Sequence, residues 1–292
     1  MYARGMRMSS SAALACALVA TVAPTPARAQ APHELEHDVA VDVAVTGTAI
    51  ALTIGSELAK PEILPKGCRW CDRDEDGTDA LNSVDRGARR SLKWTDTRTA
   101  RQLSDVGGLL VTPGATFGLL SLAAADARAG KALSIDVLIV LQSVALSQLA
   151  NQVAKFSFGR ERPFVHELSE SEKGKSDKPL DENVSFYSGH SSLVFSLATA
   201  AGTVASMRGY RLAPLVWAVG VPIAATTAYL RVAGDKHYVT DVLVGSAMGA
   251  AFGALVPLLF HARKSDDPAA AAFSPGVVNA PSAPIIGTSG TF

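Results

Sequence analysis

Six apolar segments of helical length, at 39–58, 106–125, 133–154, 191–207, 212–230 and 239–261, dominate this 292-residue chain and commit it to an all-α bundle. The residues able to do chemistry gather where these segments stop. Lys155 to Pro163 closes the third, Ser185 to His190 opens the fourth, and Arg231 to Asp241 joins the fifth to the sixth. All three stretches therefore meet at one end of a six-helix bundle.

Segments two to six approach the ~20 residues that cross ~30 Å of hydrocarbon. They are rich in Ala, Gly, Ser and Thr, which suit close packing of helices in lipid. Arg128, Lys131, Arg208, Arg211, Arg263 and Lys264 all fall at the end opposite the motifs. By the positive-inside rule the motif end then faces the periplasm from the inner membrane. Segment one has only 14 residues between Asp42 and Glu57, too short a run to cross comfortably, so it is expected at the interface or packed on the bundle, leaving five spans. A mean hydropathy of +0.20 keeps a soluble periplasmic bundle as the alternative. With 18% charged residues and zero net charge, there is no basic field to attract nucleic acid.

The three stretches together suit phosphoryl transfer, which asks for held oxygens, neutralised charge, a nucleophile and a proton donor. Arg162 and Arg231 can grip phosphate oxygens bidentately and Lys155 adds a point charge, so neither a metal nor another cofactor is called for. Ser188 and Gly189 open a helix whose backbone N–H groups can face an anion. His237, held by Asp241 four residues on, can attack phosphorus and form a phosphohistidine. His190 can protonate the leaving oxygen and then activate water.

These residues resemble the three signature motifs of the type 2 phosphatidic acid phosphatase superfamily, Lys-x6-Arg-Pro, Pro-Ser-Gly-His and Ser-Arg-x5-His-x3-Asp. That superfamily contains lipid phosphatases, class A acid phosphatases and vanadium haloperoxidases. Tyr187 stands where the family usually has Pro, and Leu230 where it usually has Ser. The resemblance covers roughly residues 105–264 and implies the roles given above on a six-helix plan. It implies hydrolysis of a phosphomonoester or diphosphate, and the length of the apolar segments makes that substrate a membrane lipid. A soluble acid phosphatase, a haloperoxidase and a noncatalytic phospholipid-binding protein are the alternatives.

The remaining chain divides into 1–29, a secretory signal with Arg4 and Arg7 before the apolar run 12–22 and Ala27-Arg28-Ala29 as cleavage site; 30–104, an N-terminal helix and a polar loop; the core 105–264; and a flexible tail, 265–292. A lipoprotein reading at Cys16 is the weaker option. In the loop, Cys68 and Cys71 are expected to form a local disulfide in an oxidising compartment. The acidic run 72–77 matches the first six positions of a calcium loop, but Ser83 stands at the twelfth, where a bidentate Glu belongs. The connector 167–183 is expected to form a mobile rim over the pocket.

Overall fold

The computed structural model describes residues 31–264 apart from 65, 66, 170 and 177. The expected signal segment, Cys16 and the tail lie outside the described residues. Among the described residues ten α-helices follow one another: α1 (Val39–Leu58), α2 (Lys60–Ile63), α3 (Ser83–Leu92), α4 (Thr97–Val106), α5 (Thr112–Asp126), α6 (Leu133–Phe158), α7 (Pro163–His166), α8 (Gly189–Arg208), α9 (Ala213–Ala233) and α10 (Val239–Phe260). A π-helical turn at Gly107–Val111 joins α4 to α5, so Thr97–Asp126 is one 30-residue rod. Six long rods thus stand where six segments were expected.

Helix α8 is the axis of the bundle. Fifteen of its twenty residues are buried, packed by α10, α9 and α6. The approach of α10 depends on glycine every fourth residue, because that spacing keeps one helix face bare. A Cβ at Gly245 would lie 2.5 Å from the Ser188 carbonyl oxygen, and one at Gly249 or Gly253 would lie closer still to the Ser192 carbonyl or the Thr199 hydroxyl. Between α6 and α8 the contact is polar: the Ser147 and Ser192 hydroxyls are 2.7 Å apart, and Asn151 donates to the Tyr187 carbonyl.

Among the described residues, helices α1, α4–α5, α6, α9 and α10 are long and apolar enough to cross a membrane; α8 falls outside that group because its Ser and Thr residues, all but Ser206 of them buried, lower its hydropathy. This differs from the expected set in including α1 and in leaving out α8, the fourth segment. Asp42, which interrupts the apolar run of α1, is 6% exposed, with its carboxylate near Gln142 and His261 inside the bundle. The outward face of α1 keeps its apolar residues, among them Val41, Val43, Leu52 and Ile54, each more than half exposed.

At the end away from the motifs, residues 33–36 are knitted to the ends of α8 and α10: the His33 N–H donates to the Arg208 carbonyl and the Glu36 N–H to that of Ala262. Both ends of the described chain therefore lie at that end. Of the six cations expected there as a surface charge, Arg208 is buried, paired with Asp136 at 2.7 Å, while Tyr210 donates to the same carboxylate.

The stretch 60–105, expected as loop, contains α2, α3 and α4. Helix α3 is short and polar on average, and its start is written in side chains that cap it. Asn82 accepts from the Asp85 N–H, and its amide donates back to the Asp85 carboxylate, a capping exchange that closes the first turn.

Candidate active site

Helix α6 ends at Gly159, whose left-handed φ of 57° costs a glycine little. Pro163 does not stop this helix, as its position suggested; it opens α7, where a missing N–H is harmless. Between the two, Arg160 and Arg162 leave an extended stretch and turn inward.

One cavity of about 380 Å³ receives Lys155, Arg162, Gly189, His190, Arg231 and His237. Three separate motifs thus converge on one space. Gly189 is needed there, because a Cβ would lie 2.8 Å from the Asn151 side-chain oxygen and 3.0 Å from Lys155 Nζ. Ser188 does not line the cavity. Its hydroxyl caps α8, accepting from the Ser191 N–H and hydroxyl, so the expectation of a direct phosphate contact gives way to a structural one.

His237 has a defined tautomer. Its Nδ1 lies 2.8 Å from the Ser185 carbonyl oxygen and its Nε2 lies 3.2 Å from Arg162 NH1. A carbonyl only accepts and a guanidinium only donates, so the proton sits on Nδ1 and the Nε2 lone pair faces the cations. Burial, then the charges of Arg162, Arg231 and Lys155, hold this imidazole well below the ordinary histidine range.

Asp241 is not the direct partner of His237. The nearest approach is 3.7 Å, too long for a hydrogen bond. The i,i+4 expectation assumed a helix through His237, but α10 begins at Val239. Asp241 instead accepts from the Ser185 hydroxyl at 2.6 Å and from the Tyr238 N–H. It steadies the residue whose carbonyl orients the histidine.

Arg160, which the motif spacing left unremarked, binds three carboxylates: Asp72 at 2.9 Å, Asp85 at 2.9 Å and Asp241 at 2.7 Å. Its guanidinium lies between the Trp70 and Tyr238 rings, 4.2 and 4.1 Å from their centroids, a stacked geometry suited to Arg and not to Lys. Trp70 is placed by a loop whose Cys68 and Cys71 are joined in a disulfide, Cα atoms 5.4 Å apart. The polar N-terminal stretch therefore braces the site. Asp72, the first residue of the calcium-like run, spends its carboxylate on Arg160 and on the Trp70 indole. Among the described residues no group of three His, Cys, Asp or Glu side chains is placed to hold a metal.

His190 lies 3.0 Å from Asp105 Oδ1, without the alignment of a hydrogen bond. Arg231 NH1 reaches the same oxygen at 2.8 Å, while its buried Nε has no partner among the described residues. Asp105 was also not singled out by the sequence. The Gly107-Gly108 pair in the π turn marks its neighbourhood: a Cβ at Gly107 would lie 2.6 Å from the Thr227 hydroxyl and one at Gly108 3.0 Å from His190. The rim of the cavity comes from the 167–183 connector. It is tied down where Lys60 binds Asp181 and Glu57 and where Arg162 Nε donates to the Asp181 carbonyl.

Residues 136–265 match the family model of the PAP2 superfamily. All three motifs lie inside that matched segment. Among solved structures, the chain is similar to a transmembrane PAP2-type phosphatidylglycerolphosphate phosphatase from Bacillus subtilis. The identity is 18% and the TM-score 0.44, over 71% of this chain and 93% of that one. Comparison with curated protein sequences gives no match.

Proposed function

We propose that this protein hydrolyses a phosphomonoester or diphosphate of a membrane lipid through a phosphohistidine. The observation that carries the reading is the His237 Nε2 lone pair, freed by the Nδ1 contact to Ser185 and aimed at Arg162 in a cavity shared with Lys155, Arg231 and His190. Nε2 forms the bond to phosphorus as the bond to the leaving oxygen breaks, and protonated His190 gives that oxygen its proton. Neutral His190 then takes a proton from water, the water oxygen bonds to phosphorus, and the N–P bond breaks to release inorganic phosphate. Lys155, Arg162 and Arg231 hold the charge that develops on the nonbridging oxygens.

A lipid substrate is supported by the five helices of crossing length and by their exposed apolar side chains. A panel of lipid monophosphates and diphosphates presented in detergent, read by phosphate release, tests it. Release from lipid substrates is expected to exceed release from a water-soluble monoester. Equal rates on both would favour the soluble acid phosphatase reading.

The orientation we infer puts the site at the periplasmic face, because exposed Arg128, Lys131, Arg211, Arg263 and Lys264 stand at the other end. A crossing α1 then starts on the cytoplasmic side, whereas cleavage after Ala29 would leave residue 30 outside. The two arrangements exclude one another. Reporters fused before Asp38 and after Lys264 separate them: the second is expected inside, and a periplasmic signal there would overturn the orientation.

A further inference from the structure

The cavity holds more positive charge than one phosphate uses. Seven basic side chains and three carboxylates line it. Lys155, Arg162 and Arg231 act on His237, and Lys60 is taken up by Glu57 and Asp181. Two further cations, Arg101 and Lys236, converge on the Phe164 ring from α4 and from the turn before α10. The Arg101 guanidinium carbon lies 5.4 Å and Lys236 Nζ 4.6 Å from the ring centroid. Neither has a carboxylate partner among the described residues.

Both are positioned by backbone. Arg101 Nε donates to the Gly234 carbonyl at 2.7 Å, and a Cβ at Gly234 would lie 2.9 Å from Arg101 Cγ. That glycine lets the arginine lie across the turn. The Lys236 carbonyl accepts from Arg162 NH1 at 3.0 Å, and Lys236 is the residue before the nucleophile. Like charges packed this close repel unless an anion lies among them. Burial and the neighbouring charges of Arg162, Arg101 and Arg231 press the Lys236 amine down to about 8. That an anionic ligand enters this shared cavity is also indicated at its reacting side, where the buried Nε of Arg231 has no hydrogen-bond partner among the described residues.

We propose that Arg101 and Lys236, gathered at the Phe164 ring, form a second anion subsite beside the reacting one, and that the substrate is a lipid diphosphate. This rests on the phosphatase reading above and narrows its substrate class. The terminal phosphorus sits at His237 and the inner phosphate at Arg101 and Lys236. As the His237 Nε2–P bond forms, the bond from that phosphorus to the bridging oxygen breaks, and its electron pair stays with the departing lipid monophosphate. The two cations stabilise that leaving group, so this first step can proceed without a proton from His190.

Methylenediphosphonate and methylphosphonate, whose P–C bonds such a site does not cleave, test the subsite by calorimetry on the full chain in detergent. At pH 7 the diphosphonate is expected to bind roughly tenfold or more tighter than the monophosphonate, as charge-assisted contacts to a second phosphate group require. Arg101→Gln and Lys236→Met should each remove most of that preference while changing monophosphonate affinity less than about twofold. Arg101→Lys and Lys236→Arg, which keep the charge, should retain a preference. The Lys236 amine loses its proton as pH rises through about 8, so the preference should fall between neutral and alkaline pH, and Lys236→Arg should flatten that fall. Equal affinity for the two probes, or equal losses for both in the variants, would overturn the subsite. A protein that shows the preference but cleaves no lipid phosphate or diphosphate would instead sink the phosphatase reading and leave the subsite standing.

Discussion

Replacing His237 with Ala is expected to lower phosphate release by on the order of 10⁴-fold or more, the scale seen when a covalent nucleophile is removed. Affinity for a phosphonate should change only a few-fold. The reason is a division of labour in the cavity. The imidazole is tethered through Nδ1 to a main-chain carbonyl, and Lys155, Arg162 and Arg231 come from other positions of the chain and stay in place without it. Arg162 is itself held by the Asp181 and Lys236 carbonyls, so losing the ring leaves its fork pointed into the same space. Residual hydrolysis within about tenfold of wild type would assign the nucleophile elsewhere, since an orienting contact is worth far less than the bond-forming atom.

The second large effect is expected at Arg160. Changing it to Met keeps much of the volume but strands Asp72, Asp85 and Asp241 in the interior without their cation. Removing one partner of a buried ionic group typically costs about 3–5 kcal/mol, and here the stacking on Trp70 and Tyr238 is lost as well. Unfolding followed in detergent should show a loss of that size. Arg160→Lys should fall between wild type and Met, because an ammonium keeps the charge but cannot make the three-way fork. A Met variant as stable as wild type to within about 1 kcal/mol would mean that the carboxylates find other partners, or take up protons, without penalty. Activity should fall with either change, since Asp241 reaches His237 only through Ser185.

Much of the bundle was legible from residue order. Apolar runs set the six rods, and their ends fell within about four residues of the observed helices except at the start of the second, where the rod begins at Thr97 and not at 106, because a run of helical length has few other ways to bury its surface. The three motifs were legible as well, since spacing along a helix or turn is a local property. What failed to read were features that depend on where a polar residue points. Asp42 looked like a break in a span, but it faces Gln142 and His261, so α1 is as long and apolar outside as its neighbours. Arg208 looked like a surface charge, but Asp136 holds it inside. Helix α3 is short and polar on average, with only Val84, Ala88 and Leu92 in its apolar row, so its clearest mark is the Asn82–Asp85 cap.

The active site shows the same division. The residue types that would surround a phosphate, two histidines, two arginines and a lysine, were given by the order of the chain. Their partners were not. The i,i+4 step from His237 to Asp241 suggested direct contact, yet the imidazole lies before the first turn of α10 and donates its Nδ1 hydrogen bond to the carbonyl of Ser185, 52 positions earlier. Arg160, Asp105, Arg101 and Lys236 carry no spacing that marks them. The sequence by itself determined that this chain folds as long apolar helices with one cationic, histidine-bearing end. Only the tertiary structure decided which carboxylates and carbonyls hold those cations and histidines, because such pairing depends on which rods touch and at what depth, and the packing of glycine, serine and alanine faces sets that across the whole chain.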